Sequence, residues 1–150
     1  MATIHTPYTQ SLKILCGAGN WLTNDVRLAL LSSGYTFNAA HTLFDNGLND
    51  PSDPSHYELG TGEGYTAGGA ALTTSINNLK LDANILIIPS LDKTFRQGVI
   101  YINATIDTIA KPLLFHILFD DTSGGTDVTI PGIDFVVRWN ANGIATLGVA

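Results

Sequence analysis

The chain has 150 residues, and its seven basic and thirteen acidic residues give a formal net charge of −6. This length fits one domain, so we expect residues 1–150 to form a single β domain. The acidic balance argues against a nucleic-acid partner, because few basic groups could offset phosphate charge. A single cysteine excludes disulfides within the chain and four-cysteine zinc sites.

No apolar run approaches the ~20 residues that cross a bilayer, so no membrane partner is expected. The N-terminus lacks the basic start and apolar run of a signal peptide, which predicts a chain made without a cleaved leader. Residues 1–7 are expected to form a flexible N-terminal arm. A short helix is predicted within residues 8–18, where Leu12, Leu15 and Cys16 would share one apolar face and Cys16 would be a buried, unreactive thiol.

The segment 25–33 is predicted to be a strand, because Val26, Leu28 and Leu30 recur at alternate positions. A second short helix is expected over residues 41–45. Residues 45–69 then form a long acidic, Gly/Pro-rich loop with five acids and no Lys or Arg. A loop of this length in a compact domain is usually functional or ordered by a partner. We therefore expect contacts to a partner from Asp50, Asp53, His56, Tyr57, Glu63 and Tyr65.

Strands dominate the rest of the chain, and the predicted ones span residues 70–76, 84–88, 97–106, 113–119, 133–139 and 143–149. The Asn-Ala-Asn-Gly sequence at 140–143 predicts a tight hairpin that joins the last two strands. Many short strands separated by turns indicate a mainly β fold. We expect an antiparallel β-sandwich, jelly-roll-like or barrel, with a short N-terminal helix.

The sequence predicts no catalytic residue, no metal site and no cofactor. His116 lies in an apolar run and is interpreted as a core or face histidine with its hydrogen bonds satisfied. The glycine-rich segment 60–64 lacks the Lys of a phosphate loop, so it indicates a turn or a place where another backbone comes close. Residues 45–50 have the composition of a calcium loop without its spacing, and Asx-turns explain them adequately.

Four stretches, taken in chain order, carry a resemblance to a known family: residues 25–36, 64–73, 119–121 and 135–147. The most specific are Gly-Tyr-Thr-Ala-Gly-Gly at 64–69 and Trp-Asn-Ala-Asn-Gly at 139–143. Together they resemble small structural proteins of tailed bacteriophages, which are virion components, often of the head surface, and are not enzymes. The segment 80–96 departs from the family pattern.

The resemblance implies a head decoration or cement-like protein that is made in the host cytoplasm and located in the virion. Its partners would be the major capsid protein or other virion proteins. Self-association is also expected, with a trimer favoured, because many symmetric copies multiply weak contacts.

Two other function classes stay open. A tail or adsorption component could bind a host surface glycan through Trp21, Trp139, Tyr57 or Tyr65, although core packing is the favoured interpretation of these aromatic residues. An enzyme such as a hydrolase is the third class, and no assembled motif supports it.

Overall fold

The computed structural model describes residues 4–16, 19–47, 50–78, 80–120, 125–141 and 143–146. The fold is mainly β with antiparallel sheets, as predicted, but the sheets do not close into a barrel. A helix α1 spans Ser11–Cys16, and a short 3-10 helix spans Pro54–Tyr57. The strands are β1 (Ile4–Pro7), β2 (Val26–Leu31), β3 (Ala70–Ala71), β4 (Thr74–Asn77), β5 (Lys80–Ala83), β6 (Leu86–Phe95), β7 (Gln97–Ile102), β8 (Thr105–Ile106), β9 (Ile109–Ala110), β10 (Leu113–Leu118), β11 (Val128–Val137) and β12 (Ala145–Thr146).

The central sheet has five strands in the order β1-β10-β7-β2-β3. Every residue of β7 is buried, and five of the six residues of β2 are buried as well. A strand whose two faces are both covered needs apolar residues at successive positions, which is what the run Leu28–Leu31 supplies. The predicted strand 25–33 is therefore confirmed, although apolar residues occupy both of its faces.

The two faces of this sheet are covered by different parts of the chain. Val26, Leu28 and Leu30 of β2 belong to the larger core cluster, together with inward-facing residues of the β6–β11 ribbon. Ala29 and Leu31 face a second cluster, which contains aromatic residues of the segment 35–57. Within the predicted loop 45–69, the Tyr57 ring therefore packs against a core layer.

Strands β6 and β11 form a two-stranded ribbon that is ten residues long on each side. Its register shifts twice, next to Gly132 (φ 71°) and next to Ser90 (φ 50°). Each shift is a bulge, which bends the ribbon and changes where the neighbouring side chains point. Phe95 and Phe135 of the ribbon make edge-to-face contacts with each other and with Phe119, which anchors the ribbon on the sheet.

The prediction that residues 140–143 form a hairpin between the last two strands is wrong. The chain does turn there, because the Gly143 N–H donates to the Asn140 carbonyl oxygen and Gly143 has φ 78°. The flanking strands do not pair with each other, since β11 pairs with β6 and β12 pairs with β5. The turn instead carries the chain to the three-stranded sheet β12-β5-β4. Asn142 and residues 147–149 of the predicted last strand lie outside the described residues.

Three local predictions near the N-terminus are also corrected. Residues 4–7 form the edge strand β1, paired with β10, instead of an arm, and residues 1–3 lie outside the described part of the chain. Helix α1 buries Ser11 and Ile14, whereas Leu12 and Cys16 are exposed, because the Ser11 hydroxyl donates to the Leu114 carbonyl oxygen and fixes the rotation of the helix. Residues 41–45 are not helical, and Leu43 makes an isolated bridge to Pro112.

Two predicted strands are interrupted. The segment 70–76 is divided between β3 and β4, and 97–106 is divided between β7 and β8. Strand β5 was missed, and β6 and β11 are longer than the predicted 84–88 and 133–139. Among the described residues, the structure contains no helix long and apolar enough to cross a membrane.

Replacing Gly143 should destabilise the fold through a backbone clash in addition to φ strain. A Cβ atom at Gly143 would lie 2.6 Å from the Leu81 carbonyl oxygen, whereas one at Gly47 (φ 76°) would have no atom within 4 Å. Both Gly143→Ala and Gly47→Ala place alanine at positive φ, which costs about 1–2 kcal/mol. We expect Gly143→Ala to lose clearly more stability than Gly47→Ala in urea unfolding. Equal losses would contradict the contact between this turn and β5.

Candidate functional site

The six predicted contact residues occupy two turns. Asp50, Asp53, His56 and Tyr57 lie in the segment 50–57, and Glu63 and Tyr65 lie in the glycine-rich segment. Asp53 and Tyr65 are buried, with 7% and 3% of their surface exposed. Their side chains therefore make contacts within the chain, which corrects the expectation that they face a partner. His56 and Glu63 are exposed, and Asp50 and Tyr57 are half-buried.

The carboxylates of the acidic loop accept hydrogen bonds from nearby backbone. Asp45 Oδ1 accepts from the Gly47 N–H (2.7 Å) and Asp53 Oδ2 from the Asn46 N–H (3.0 Å). The Gly47 bond holds the pKa of the Asp45 carboxyl below its usual value. Asp50 Oδ1 accepts from the Ser52 N–H at 2.9 Å. The Asp45 and Asp50 bonds, each to the backbone N–H two residues on, are the Asx-turns that the sequence favours over a calcium loop.

A buried polar cluster centres on Tyr65. Its hydroxyl donates to Glu58 Oε1 (2.7 Å) and accepts from the Leu30 N–H of β2 (3.0 Å). Glu58 Oε1 also accepts from the Gly68 N–H at 2.7 Å, and the Tyr101 hydroxyl donates to the Gly68 carbonyl oxygen at 2.6 Å. Burial raises the pKa of the Glu58 carboxyl, and the bonds from Tyr65 and Gly68 oppose that rise. Sequence reasoning missed Glu58, which has no motif around it.

The glycine-rich turn also contacts the ribbon. A Cβ at Gly64 (φ 84°) would lie 2.3 Å from the Ser90 carbonyl oxygen, at the bulge of β6. The Asp92 N–H donates to the Glu63 carbonyl oxygen (2.8 Å), and Lys93 Nζ lies 2.8 Å from Glu63 Oε2. The predicted close approach of another backbone to this segment is confirmed.

The second face of the sheet carries an aromatic and histidine cluster. The Tyr35 hydroxyl bonds to the Tyr8 hydroxyl and to His41 Nδ1, both at 2.9 Å. His116 is buried, which selects the core over the face position, and its Nε2 lies 2.7 Å from Gln97 Oε1. Because Gln97 Nε2 donates to two carbonyl oxygens, Oε1 is the acceptor and His116 Nε2 carries the proton. Burial lowers the pKa of His116 from 6.5 to about 4.

A cleft opens beside this cluster, between residues 35–41 and 50–57. Its volume is about 250 Å³. The rings of Tyr35, His41 and Tyr57 line it together with the polar residues Thr36, Asn38 and Ser52 and with Pro51. Tyr57 is the one predicted contact residue whose side chain lines this cleft as a half-buried ring.

Among the four aromatic residues considered for glycan stacking, Trp21 and Tyr65 are core residues, with 2% and 3% of their surface exposed. Trp21 Nε1 contacts the carbonyl oxygens of Ser75 and Asp82, both at 3.0 Å. Trp139 is half-buried, and its Nε1 donates to the Asn84 carbonyl oxygen. Of these four residues, Tyr57 is therefore the one that lines the cleft and remains a candidate for glycan stacking.

The outer side of the ribbon exposes large apolar side chains, which we name the ribbon face: Ile85 (52% exposed), Ile87 (55%) and Val136 (38%). Ile133 (58% exposed) lies on the other side of β11, because it pairs with the buried Leu91 and stands two residues from the buried Phe135. Ile87 and Val136 stand directly opposite each other in the ladder. Sequence reasoning missed this surface. The uninterrupted apolar run Ile85–Ile88 contained a signal, because a strand with one solvated face should alternate.

Within the described ranges, no group of three or more His, Cys, Asp or Glu side chains is placed to hold a metal ion. No protein family, curated protein or solved structure matches the chain. The resemblance to phage structural proteins therefore stays a prediction from the residues.

Removing the Tyr65 hydroxyl should destabilise the chain. In Tyr65→Phe the buried Leu30 N–H loses its acceptor and Glu58 loses a donor, which should cost about 1–3 kcal/mol. Urea unfolding measures this loss, and Tyr57→Phe, at the half-buried ring, should change stability by less than about 0.5 kcal/mol. Similar losses in the two variants would contradict the role of the Tyr65 hydroxyl.

His116 should make stability depend on pH. Its pKa of about 4 in the folded chain lies below the usual 6.5, so the unfolded chain binds the extra proton between these values. The contribution of His116 to the free energy of unfolding is fully present above pH 6.5. It falls by roughly 3 kcal/mol as the pH drops toward 4.

We expect His116→Gln to flatten this part of the pH profile in urea unfolding, because glutamine can donate to Gln97 and does not titrate. His56→Gln, which removes an exposed histidine instead of the buried one, is the matched control variant. A His116→Gln profile parallel to the wild type would show that other groups cause the slope.

Proposed function

We propose that the chain is a structural protein of a tailed-phage particle, which decorates or cements the capsid surface by binding neighbouring copies and capsid subunits. The role is binding alone, with no bond made or broken. The observation that carries the proposal is the ribbon face. Large apolar side chains grouped on one exposed surface characterise protein–protein contact sites.

The ribbon face is suited to contact because its central pair, Ile87 and Val136, is uncharged; the exposed Asp134 and Arg138, two residues before and after Val136, border this pair. Ile87 and Val136 form a cross-strand pair, whose Cβ atoms in such a ladder stand about 5 Å apart. Ile85 lies directly before β6, two residues from Ile87, and adds a third exposed apolar side chain. Interface centres are depleted in charge in the same way.

The ribbon is also held in a fixed shape before any partner arrives. Its inner residues Phe95 and Phe135 pack against Phe119, and the glycine-rich turn binds it through Glu63. A preorganised surface loses little conformational entropy on binding. The proposal includes a two-layer, sandwich-like arrangement of ribbon and sheet, which the shared core cluster supports.

Repeated copies would strengthen such contacts. A decoration protein meets a shell that displays the same site many times, so a weak contact through each ribbon face adds to a tight attachment. We propose a homo-oligomer, with a trimer favoured, at junctions between capsid subunits. The major capsid protein is the proposed partner.

A charge in the centre of the ribbon face should break self-association. We expect Ile87→Asp to shift the wild-type oligomer to monomer in light scattering at micromolar concentration, since burying an unpaired carboxylate is unfavourable. Leu22→Asp is the matched control, because Leu22 is 54% exposed and Ile87 55%. Circular dichroism would establish that both variants fold.

A wild-type chain that is strictly monomeric, or an Ile87→Asp variant that associates normally, would contradict self-association through this face. Immunogold labelling of particles from the phage that encodes the chain tests the location. Label over the head is expected, whereas label confined to the tail tip, or its absence, would overturn the cement role.

A further inference from the structure

We propose that the cleft between residues 35–41 and 50–57 binds one neutral pyranose ring, such as the terminal sugar of a glycan. This inference does not depend on the assembly role. The cleft lies on the second face of the central sheet, whereas the ribbon covers the first.

The size of the cleft favours a small ligand. Its volume of about 250 Å³ is below the about 300–1,000 Å³ of pockets that hold drug-sized molecules. A single sugar ring fits such a space, whereas an extended peptide needs a longer groove.

The rings of the cleft are fixed in position. Tyr35 and Tyr57 contact each other with ring centroids 6.0 Å apart and planes tilted by 52°, and both residues line the cleft. Tyr57 packs on the backbone of Gly34, where a Cβ would lie 2.9 Å from its ring carbon Cδ1. Because the Tyr57 ring is half-buried, part of its apolar surface can cover the C–H face of a sugar.

Polar groups surround these rings. His41 Nδ1 bonds to the Tyr35 hydroxyl, which bonds in turn to the buried Tyr8 hydroxyl. This chain of hydrogen bonds orients the imidazole, and Nε2 is the ring nitrogen that can meet a ligand hydroxyl. Thr36, Asn38 and Ser52 add hydroxyl and amide groups to the lining. Apolar rings beside several donors and acceptors match a sugar, which has one C–H face and a rim of hydroxyls.

The local charge favours a neutral ligand over an anion. Among the described residues, those that line the cleft include no Lys or Arg, and the Asp50 carboxylate lies close enough to His41 to interact with it electrostatically. A phosphate or carboxylate ligand would meet that acid with the His41 imidazole as its one basic partner among these residues. A quaternary ammonium ion would leave the amide and hydroxyl donors of the cleft without acceptors.

Saturation-transfer NMR on the full chain tests the inference, with methyl glycosides of glucose, galactose, mannose and N-acetylglucosamine as probes. We expect transfer to at least one glycoside with a Kd on the order of 1 mM. Ser52→Arg, which places a long side chain at the cleft mouth from an exposed position, should weaken binding at least tenfold. Thr23→Arg, at an exposed turn away from the cleft lining, should bind like the wild type.

Tyr57 variants separate the ring from its hydroxyl. Tyr57→Phe should keep most of the affinity for the glycoside, and Tyr57→Ala should lower that affinity at least tenfold. If Tyr57→Ala does not fold, the Ser52→Arg variant tests the inference in its place. The inference is overturned if no glycoside binds, if only choline or inorganic phosphate binds, or if Ser52→Arg binds like the wild type. Ile87→Asp should bind the sugar normally, so failure of the ribbon proposal and failure of this one are distinguishable.

Discussion

The structure depends on one hydrogen-bonded connection, in which the Tyr65 hydroxyl links the edge of β2 to the glycine-rich turn. Backbone bridges join β2 to Glu58 and to Ala70, and between them the Leu30 N–H donates to Tyr65. The same turn contacts the ribbon at Ser90 and Asp92. A buried donor left unpaired is costly, so this connection fixes both the sheet edge and the position of the ribbon.

This arrangement gives a structural reason for the Gly-Tyr-Thr-Ala-Gly-Gly motif. Gly64 lies against the β6 backbone, and the Tyr65 hydroxyl accepts the hydrogen bond of the Leu30 N–H in β2. A Cβ at Gly69 would lie 2.5 Å from the Leu28 carbonyl oxygen. Residues with these constraints are needed for folding whatever the protein binds. The motif therefore serves the folded scaffold, and the two proposed contact surfaces lie elsewhere on the chain.

Two such surfaces lie on opposite sides of the central sheet. The ribbon face is apolar and rigid, which suits protein contact, and the cleft at Tyr57 is small, aromatic and polar, which suits a sugar. Their chemistry differs because different segments cover the two faces of the sheet. Under the two proposals, the chain would attach to a particle through one side and present the other to its surroundings.

The sequence by itself determined the mainly β class and the strand at β2, and it limited His116 to a core or face position and the glycine-rich segment to a turn or a close backbone approach. Each follows from local chemistry: alternation of apolar residues, an apolar run around an imidazole, or glycine spacing. Only the tertiary structure decided that β12 pairs with β5, that α1 exposes Cys16 and that Asp53 and Tyr65 are buried. Strand partners and buried faces depend on contacts between residues distant in the chain, such as Ser11 with Leu114, and local patterns do not encode those contacts.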